Sequence, residues 1–268
     1  MTPDGPTSVK SDRVGAVRRL ANRSFRRKVG RFLAEGPQSV REAVAWRPDI
    51  IDEVYVSTEA PAPVQEIAAA AQLAGQSVTA VPEPVLLAMT ETVHPQGIAA
   101  VCRFLDGDAM GLLNQSRLVV MLHEVRDPGN AGTILRTADA AGADAVILAG
   151  DSVDPYNGKC VRSSAGSLFH VPFAQTDAPA DSLSGARAAG LQVLSTSAAG
   201  TRNLFDMQRD GSLAAPTLWV FGNEAHGLPT ELAADADVAI PIFGLAESLN
   251  LAAAAAVCLY ATAAAQAG

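Results

Sequence analysis

Within His123–Gly142 (HEVRDPGNAGTILRTADAAG), two side chains have the type and position to do chemistry, Asn130 and Arg136. A guanidinium stays protonated at physiological pH, so Arg136 suits binding and polarising an oxygen and makes a poor base. Stepping upstream, the run Leu118–Leu122 is Val/Leu-rich and of strand length, and it reads as a buried parallel strand. Downstream, Ile134, Leu135, Ala138 and Ala141 recur at helical spacing, so Asn130 sits near a helix start and Arg136 about a turn and a half inside it. Open α/β sheets bind ligands at the carboxyl ends of their strands, which is where both residues fall. Taken alone, the stretch fits equally well a Pro-Gly turn and a capped helix carrying a solvated arginine.

Two later segments change that balance. Trp219–Leu228 reads WVFGNEAHGL and Ile240–Asn250 reads IPIFGLAESLN. Gly222 and Gly227 lack side chains and let backbone approach a ligand closely. Glu247, Ser248 and Asn250 stand at the start of a final helix expected over 248–265, where free N–H groups can meet a carboxylate or a ribose. In this order and with these gaps, the three segments resemble the SpoU family of RNA 2′-O-ribose methyltransferases, the TrmH-like branch of the SPOUT superfamily. The matching residues are Asn130, Gly132 and Arg136; then Gly222, Glu224, Gly227 and Leu228; then Ile240, Pro241, Ser248, Leu249 and Asn250. The likeness covers roughly residues 117–265, and a weaker one at Phe32–Val40 to the family's RNA-recognition domain extends it to about residue 14.

The resemblance implies an α/β protein: a C-terminal trefoil-knotted SPOUT methyltransferase domain with a parallel sheet, and a small N-terminal α/β RNA-binding domain resembling a ribosomal protein. A knot runs against the usual rule for protein chains, and nothing in the spacing signals it. The implied methyl donor is S-adenosylmethionine, held bent among three loops largely by main-chain groups at Gly222, Ile240 and Leu249, with Thr196 and Asn223 nearby. Arg136 is then the residue that activates the 2′-hydroxyl, which a guanidinium does by binding and polarising it beside an adjacent phosphate whose oxygen accepts the proton; Asn130 and Glu224 hold the arrangement, and Ser248 and Asn250 touch the ribose or the donor. Family members form homodimers through the knotted domain. A small N-terminal domain accompanies relatives acting on 23S rRNA more than those acting on tRNA, so 23S rRNA is the expected substrate and tRNA the alternative. Two readings of other classes stay open: an RNA-binding protein that kept the fold without turnover, and a nucleotide-dependent oxidoreductase. The latter lacks its G-x-G-x-x-G fingerprint, of which Gly129–Gly132 is only a partial imitation.

Composition agrees with an RNA partner once the charge is divided along the chain. The whole carries −8. Residues 10–31 hold nine basic residues against Asp12 alone, a local charge of +8 that leaves −16 on the remainder. Such asymmetry suggests a polyanion-binding arm, with Arg18, Arg19, Arg23, Arg26, Arg27 and Lys28 as candidate RNA contacts, or a solvated basic helix face. Further along, Asn157, Lys159 and Arg162 lie in a polar loop and helix start beside the expected site and are candidates for phosphate contact. Strands and helices alternate with short connections through residues 11–104, residues 105–116 read as a polar linker, residues 117–268 as the methyltransferase domain, and residues 1–10 as a disordered tail. Cys102, Cys160 and Cys258 are too scattered for disulfides or zinc, and His123, His170 and His226 read as ordinary surface or loop histidines; no metal is expected. The polar N-terminus lacks a signal-peptide core and no apolar run reaches membrane length, which points to the cytoplasm.

Overall fold

The computed structural model describes residues 6–222, 228–229 and 232–268. The chain forms two compact units: one runs through Leu105 and takes in Asp154–His170, and the other comprises Asp106–Val153 and Val171–Gly268. The segment read as a linker is partly structural, because Ala109 and Leu113 are buried in the second unit's core. Asp154–His170 belongs to the first unit, although nothing in its local composition sets it apart from its neighbours in the chain.

The first unit is built on a four-stranded mixed sheet, order β1-β4-β2-β3, from β1 (Arg31–Glu35), β2 (Ile51–Ser57), β3 (Val78–Val81) and β4 (Ile98–Arg103). β4 runs antiparallel to both β1 and β2, and β2 runs parallel to β3. The basic N-terminal segment folds as helices Asp12–Arg18 and Arg23–Val29, broken where the Asn22 side chain caps the second by accepting from Phe25 N at 3.1 Å. It is no loose arm. Val14, Val17 and Leu20 are buried with Tyr55, Leu86 and Met89 in one apolar cluster, which anchors the helices to the sheet.

The second unit carries a seven-stranded parallel sheet, order β7-β6-β5-β10-β8-β11-β9. Its strands are β5 (Leu118–His123), β6 (Ala145–Ala149), β7 (Phe173–Thr176), β8 (Gln192–Thr196), β9 (Arg202–Asn203), β10 (Thr217–Phe221) and β11 (Ala236–Ala239). A sheet covered on both faces needs continuous apolar strands, and β5, β6 and β10 are buried at every position. β11 ends at Ala239, so Ile240 and Pro241 fall in the loop beyond it. The final helix, Leu251–Ala267, is rich in alanine, which permits close approach to the helix Pro128–Ala140. Trp219 of β10 is fully buried and its indole N–H donates to the Thr262 hydroxyl at 2.9 Å, tying this helix to the sheet centre.

Candidate active site

The site is organised by two helix N-termini. The chain leaves β5 through Glu124, a non-glycine at φ +54°, and reaches Asp127, whose carboxylate accepts the Asn130 N–H at 2.8 Å. Pro128 occupies the first helical position, where its missing N–H costs nothing. At the other end of the unit, the Asn250 side-chain oxygen accepts N–H groups of Ala252 at 2.9 Å and Ala253 at 3.3 Å. That cap starts the final helix at Leu251 rather than at Ser248 as expected, leaving Glu247 and Ser248 in the approach loop. With its oxygen committed to the helix, Asn250 turns its amide N–H outward, where it donates to Asn130 Oδ1 at 3.1 Å. Two residues 120 positions apart thus meet at the positive ends of two helices, surroundings that favour an anionic or oxygen-rich group.

Beside this pair lies a cleft of about 1040 Å³ at the C-terminal ends of the strands. Thr196, Gly222, Ile240, Ser248, Leu249 and Asn250, all singled out from the sequence, line it. Ser195 and Asp237 line it too; they face each other across the β8–β11 pairing, and the Ser195 hydroxyl donates to the Asp237 carboxylate. Gly200, in the loop after β8, packs so tightly on β11 that an added Cβ would stand 2.5 Å from the Ala239 N. Only glycine permits that approach. The cleft offers apolar walls at Leu232, Ile240 and Leu249, main-chain groups at strand ends, and carboxylates at Asp237 and Glu247. This mixture fits S-adenosylmethionine, which has a flat base, a polar ribose and a cationic tail.

Arg136 is exposed on the helix that begins at Pro128, and it makes no ion pair among the described residues. A charged side chain with no carboxylate partner among the described residues can take an oxygen ligand. Asn223, Glu224, Gly227 and His226 lie outside the described residues. His123 departs from expectation. It closes β5 with 6% exposure, its Nδ1 has no hydrogen-bond partner, and burial lowers its pKa against a small opposing effect from Glu124. His170 is half-buried, with Nε2 3.3 Å from the Glu42 carboxylate.

Among the basic candidates the structure separates two kinds. Arg26 is 2% exposed and donates to Asp154 at 2.6 and 3.0 Å and to the carbonyls of Leu20 and Ala21. Its guanidinium is enclosed and fully engaged, so Arg26 is a structural residue rather than an RNA contact. Arg162 pairs with the buried Glu35 at 3.1 Å, and both it and Lys159 belong to the first unit. Arg18, Arg19, Arg23, Arg27 and Lys28 stay exposed, Arg19 lying over the Phe25 ring at 4.4 Å. Sequence reasoning missed Asp127, although Asp-Pro ahead of a periodic apolar run is a helix-start signal. It also missed Ser195 and Asp237, which carry no local signal because only strand register brings them together.

Residues 117–260 match the SpoU rRNA Methylase family. The chain belongs to this family. Residues 33–106 match the substrate-binding domain of RNA 2′-O ribose methyltransferases. This SpoU member is 35% identical over 257 residues to the 23S rRNA (guanosine(2553)-2′-O)-methyltransferase RlmP of Bacillus subtilis, covering 94% of this chain and 96% of that one. It is 31% identical over 242 residues to a 23S rRNA (uridine(2479)-2′-O)-methyltransferase of Streptomyces viridochromogenes, covering 87% and 71%. Among solved structures, the AdoMet-bound rRNA methyltransferase of Sinorhizobium meliloti superposes with a TM-score of 0.81 at 34% identity, over 97% of each chain.

Proposed function

We infer that this SpoU member transfers the methyl group of S-adenosylmethionine to a ribose 2′-hydroxyl of 23S rRNA. The observation that carries the reading is the Asn130–Asn250 hydrogen bond beside the strand-end cleft, since it joins the first and third sequence segments into one site. When bound, S-adenosylmethionine supplies an electrophilic methyl group on a sulfonium. Thr196, Gly222, Ile240 and Leu249, with Asn223 alongside, are the residues proposed to hold it, mainly through their backbone. Arg136 binds the 2′-hydroxyl and the neighbouring phosphate; its charge stabilises the oxygen as the O–H proton passes to a phosphate oxygen, the C–O bond forms and the C–S bond breaks. Asn130 and Asn250 hold the ribose, with Ser248 and Glu224 completing the set, so that the hydroxyl stays in line with the methyl group.

In this reading the first unit binds RNA through the exposed Arg18, Arg19, Arg23, Arg27 and Lys28, with Lys159 and Arg162, and it is the small ribosomal-protein-like domain. The second unit is the methyltransferase domain. Membership of the family supports a trefoil knot there. Phe243 and Leu245, 89% and 104% exposed in the loop beside the cleft, support a homodimer in which a second copy covers them. The enzyme works in the cytoplasm, where ribosomes are made.

The test is incubation of the purified protein with methyl-labelled S-adenosylmethionine and either 23S rRNA or tRNA, beside Arg136→Ala. Label at one alkali-resistant position of 23S rRNA, absent with Arg136→Ala, is the expected result. Label on tRNA alone, or none despite donor binding, would sink the 23S rRNA reading.

A further inference from the structure

The first unit contains a cavity of its own, about 240 Å³, where the turn after β1 meets the segment Thr90–Gln96 and Arg162. One wall is the N-terminus of the ten-residue helix Pro37–Trp46, which has no side-chain cap. Pro37 has no N–H, and the N–H groups of Gln38 and Ser39 find no acceptor among the described residues. Ser39 is 2% exposed and lines the cavity, yet its hydroxyl hydrogen-bonds nothing among the described residues. Several buried hydroxyls elsewhere are satisfied: Ser152 donates to the Leu122 and Ala149 carbonyls, Ser164 to Val161, and Thr262 to Cys258, whereas Ser167, 5% exposed, has no side-chain partner among the described residues. What sets Ser39 apart is its place: its hydroxyl and two open helix N–H groups belong to one cavity, an arrangement that suits an external acceptor.

The charges around the cavity decide what kind of acceptor. Glu35 and Arg162 border it as an ion pair at 3.1 Å, and Glu35 also accepts from Glu91 N at 2.6 Å and Thr92 Oγ1 at 3.1 Å. The two charges cancel and the carboxylate is engaged, so a phosphate gains no net attraction while a neutral carbonyl edge does. Gln96 adds a side-chain amide at the rim, its oxygen lying 3.1 Å from where a Cβ on Gly36 would stand, and at φ +89° that position is a glycine's; the Gln38 amide is committed to Glu42, the Ala165 carbonyl and Arg41. A cavity of this size takes one planar heterocycle. Unstacked bases read along their polar edges are how proteins recognise single-stranded RNA.

We propose that this cavity captures one unpaired nucleobase of the RNA, through the Ser39 hydroxyl and the Gln38 and Ser39 N–H groups donating to a carbonyl oxygen or ring nitrogen of its edge. The inference rests on RNA being the substrate, as argued above, and adds a second anchor away from the residues that bind the methyl donor. It is tested with the full chain and unmodified 23S rRNA transcript, measuring RNA affinity by filter retention, S-adenosylmethionine affinity, and KM and kcat. Ser39→Leu fills the cavity and raises the RNA Kd and KM about tenfold, the effect of losing one bound base, with kcat at saturating RNA and donor affinity unchanged. Gln96→Ala, at the rim, gives a smaller loss of the same kind. Ultraviolet cross-links of the wild type to peptides containing residues 36–39 or 92–96 carry one and the same nucleotide of the RNA. Wild-type RNA affinity in folded Ser39→Leu, or in Gln96→Ala should Ser39→Leu not fold, overturns the proposal, as does the absence of any cross-link to these peptides. A wild type that binds donor but no 23S rRNA overturns the broader reading as well, which distinguishes the two failures.

Discussion

Arg26 and Arg136 carry the same guanidinium, and the two units use it in opposite ways. In the first unit Arg26 is 2% exposed and enclosed by Asp154 and two carbonyls, so its charge holds together segments 128 positions apart. In the second unit Arg136 stands exposed with no carboxylate partner among the described residues, on the helix whose first turn carries Asn130. Charge alone does not make a binding residue. Burial and a partner turn one arginine into a fold element, while the other, exposed, is the residue proposed to meet substrate.

Substitution of each arginine should therefore fail in a different way. Arg136→Ala is expected to lower kcat by about two to three orders of magnitude with melting temperature and S-adenosylmethionine affinity unchanged, as labelled-methyl incorporation and thermal melts would report. Arg136→Lys keeps the charge but loses the planar fork; full turnover at unchanged RNA affinity would remove Arg136 from its assigned role. Arg26→Met leaves Asp154 buried and unpaired, and denaturant melts should show about 3–5 kcal/mol of lost stability. Folded Arg26→Met at low temperature should keep its donor affinity.

Asn250 lets the comparison be made within one side chain. Asn250→Ala loses the cap on the final helix, about 1 kcal/mol by denaturant melt, together with the bond to Asn130. Asn250→Asp keeps the cap acceptor and loses only the N–H donor, so stability should hold while kcat falls; equal falls in both would make the residue a cap and nothing more. Salt dependence sharpens the basic set. Arg23→Gln should reduce the slope of log affinity against log salt by about 1, while Arg31→Gln, whose parent pairs with Asp52, should leave it nearly unchanged. The smallest effect concerns His123. Its pKa is lowered by burial, so the unfolded chain takes up a proton that the folded one refuses as pH falls below the ordinary value of 6.5. Stability is constant above that pH and declines below it, and His123→Asn should flatten the fall in melting temperature between pH 7.5 and 5.5.

Much of this was legible along the chain because it is local. The apolar run that became β5 and the helix after Pro128 each follow from spacing within a few residues. Boundaries set by a single side chain were less so: the final helix starts where Asn250 supplies its oxygen, a choice between neighbouring polar residues that periodicity does not make. Residues tied together by pairing across the sheet, such as Ser195 and Asp237, had no signature at all.

By itself, the sequence determined the α/β pattern, the membership implied by three ordered segments, and several of the residues that line the cleft, since all of these are written in residue types and short spacings. The tertiary structure alone decided that Asn250 points its amide at Asn130, that Arg26 is withdrawn from solvent, that Asp154–His170 belongs with the first unit, and that Ser39 faces a cavity without a partner. The physical reason is common to them. Hydrogen-bond partnership and burial depend on which distant segments the fold brings within about 3 Å, and a local pattern carries no record of that choice.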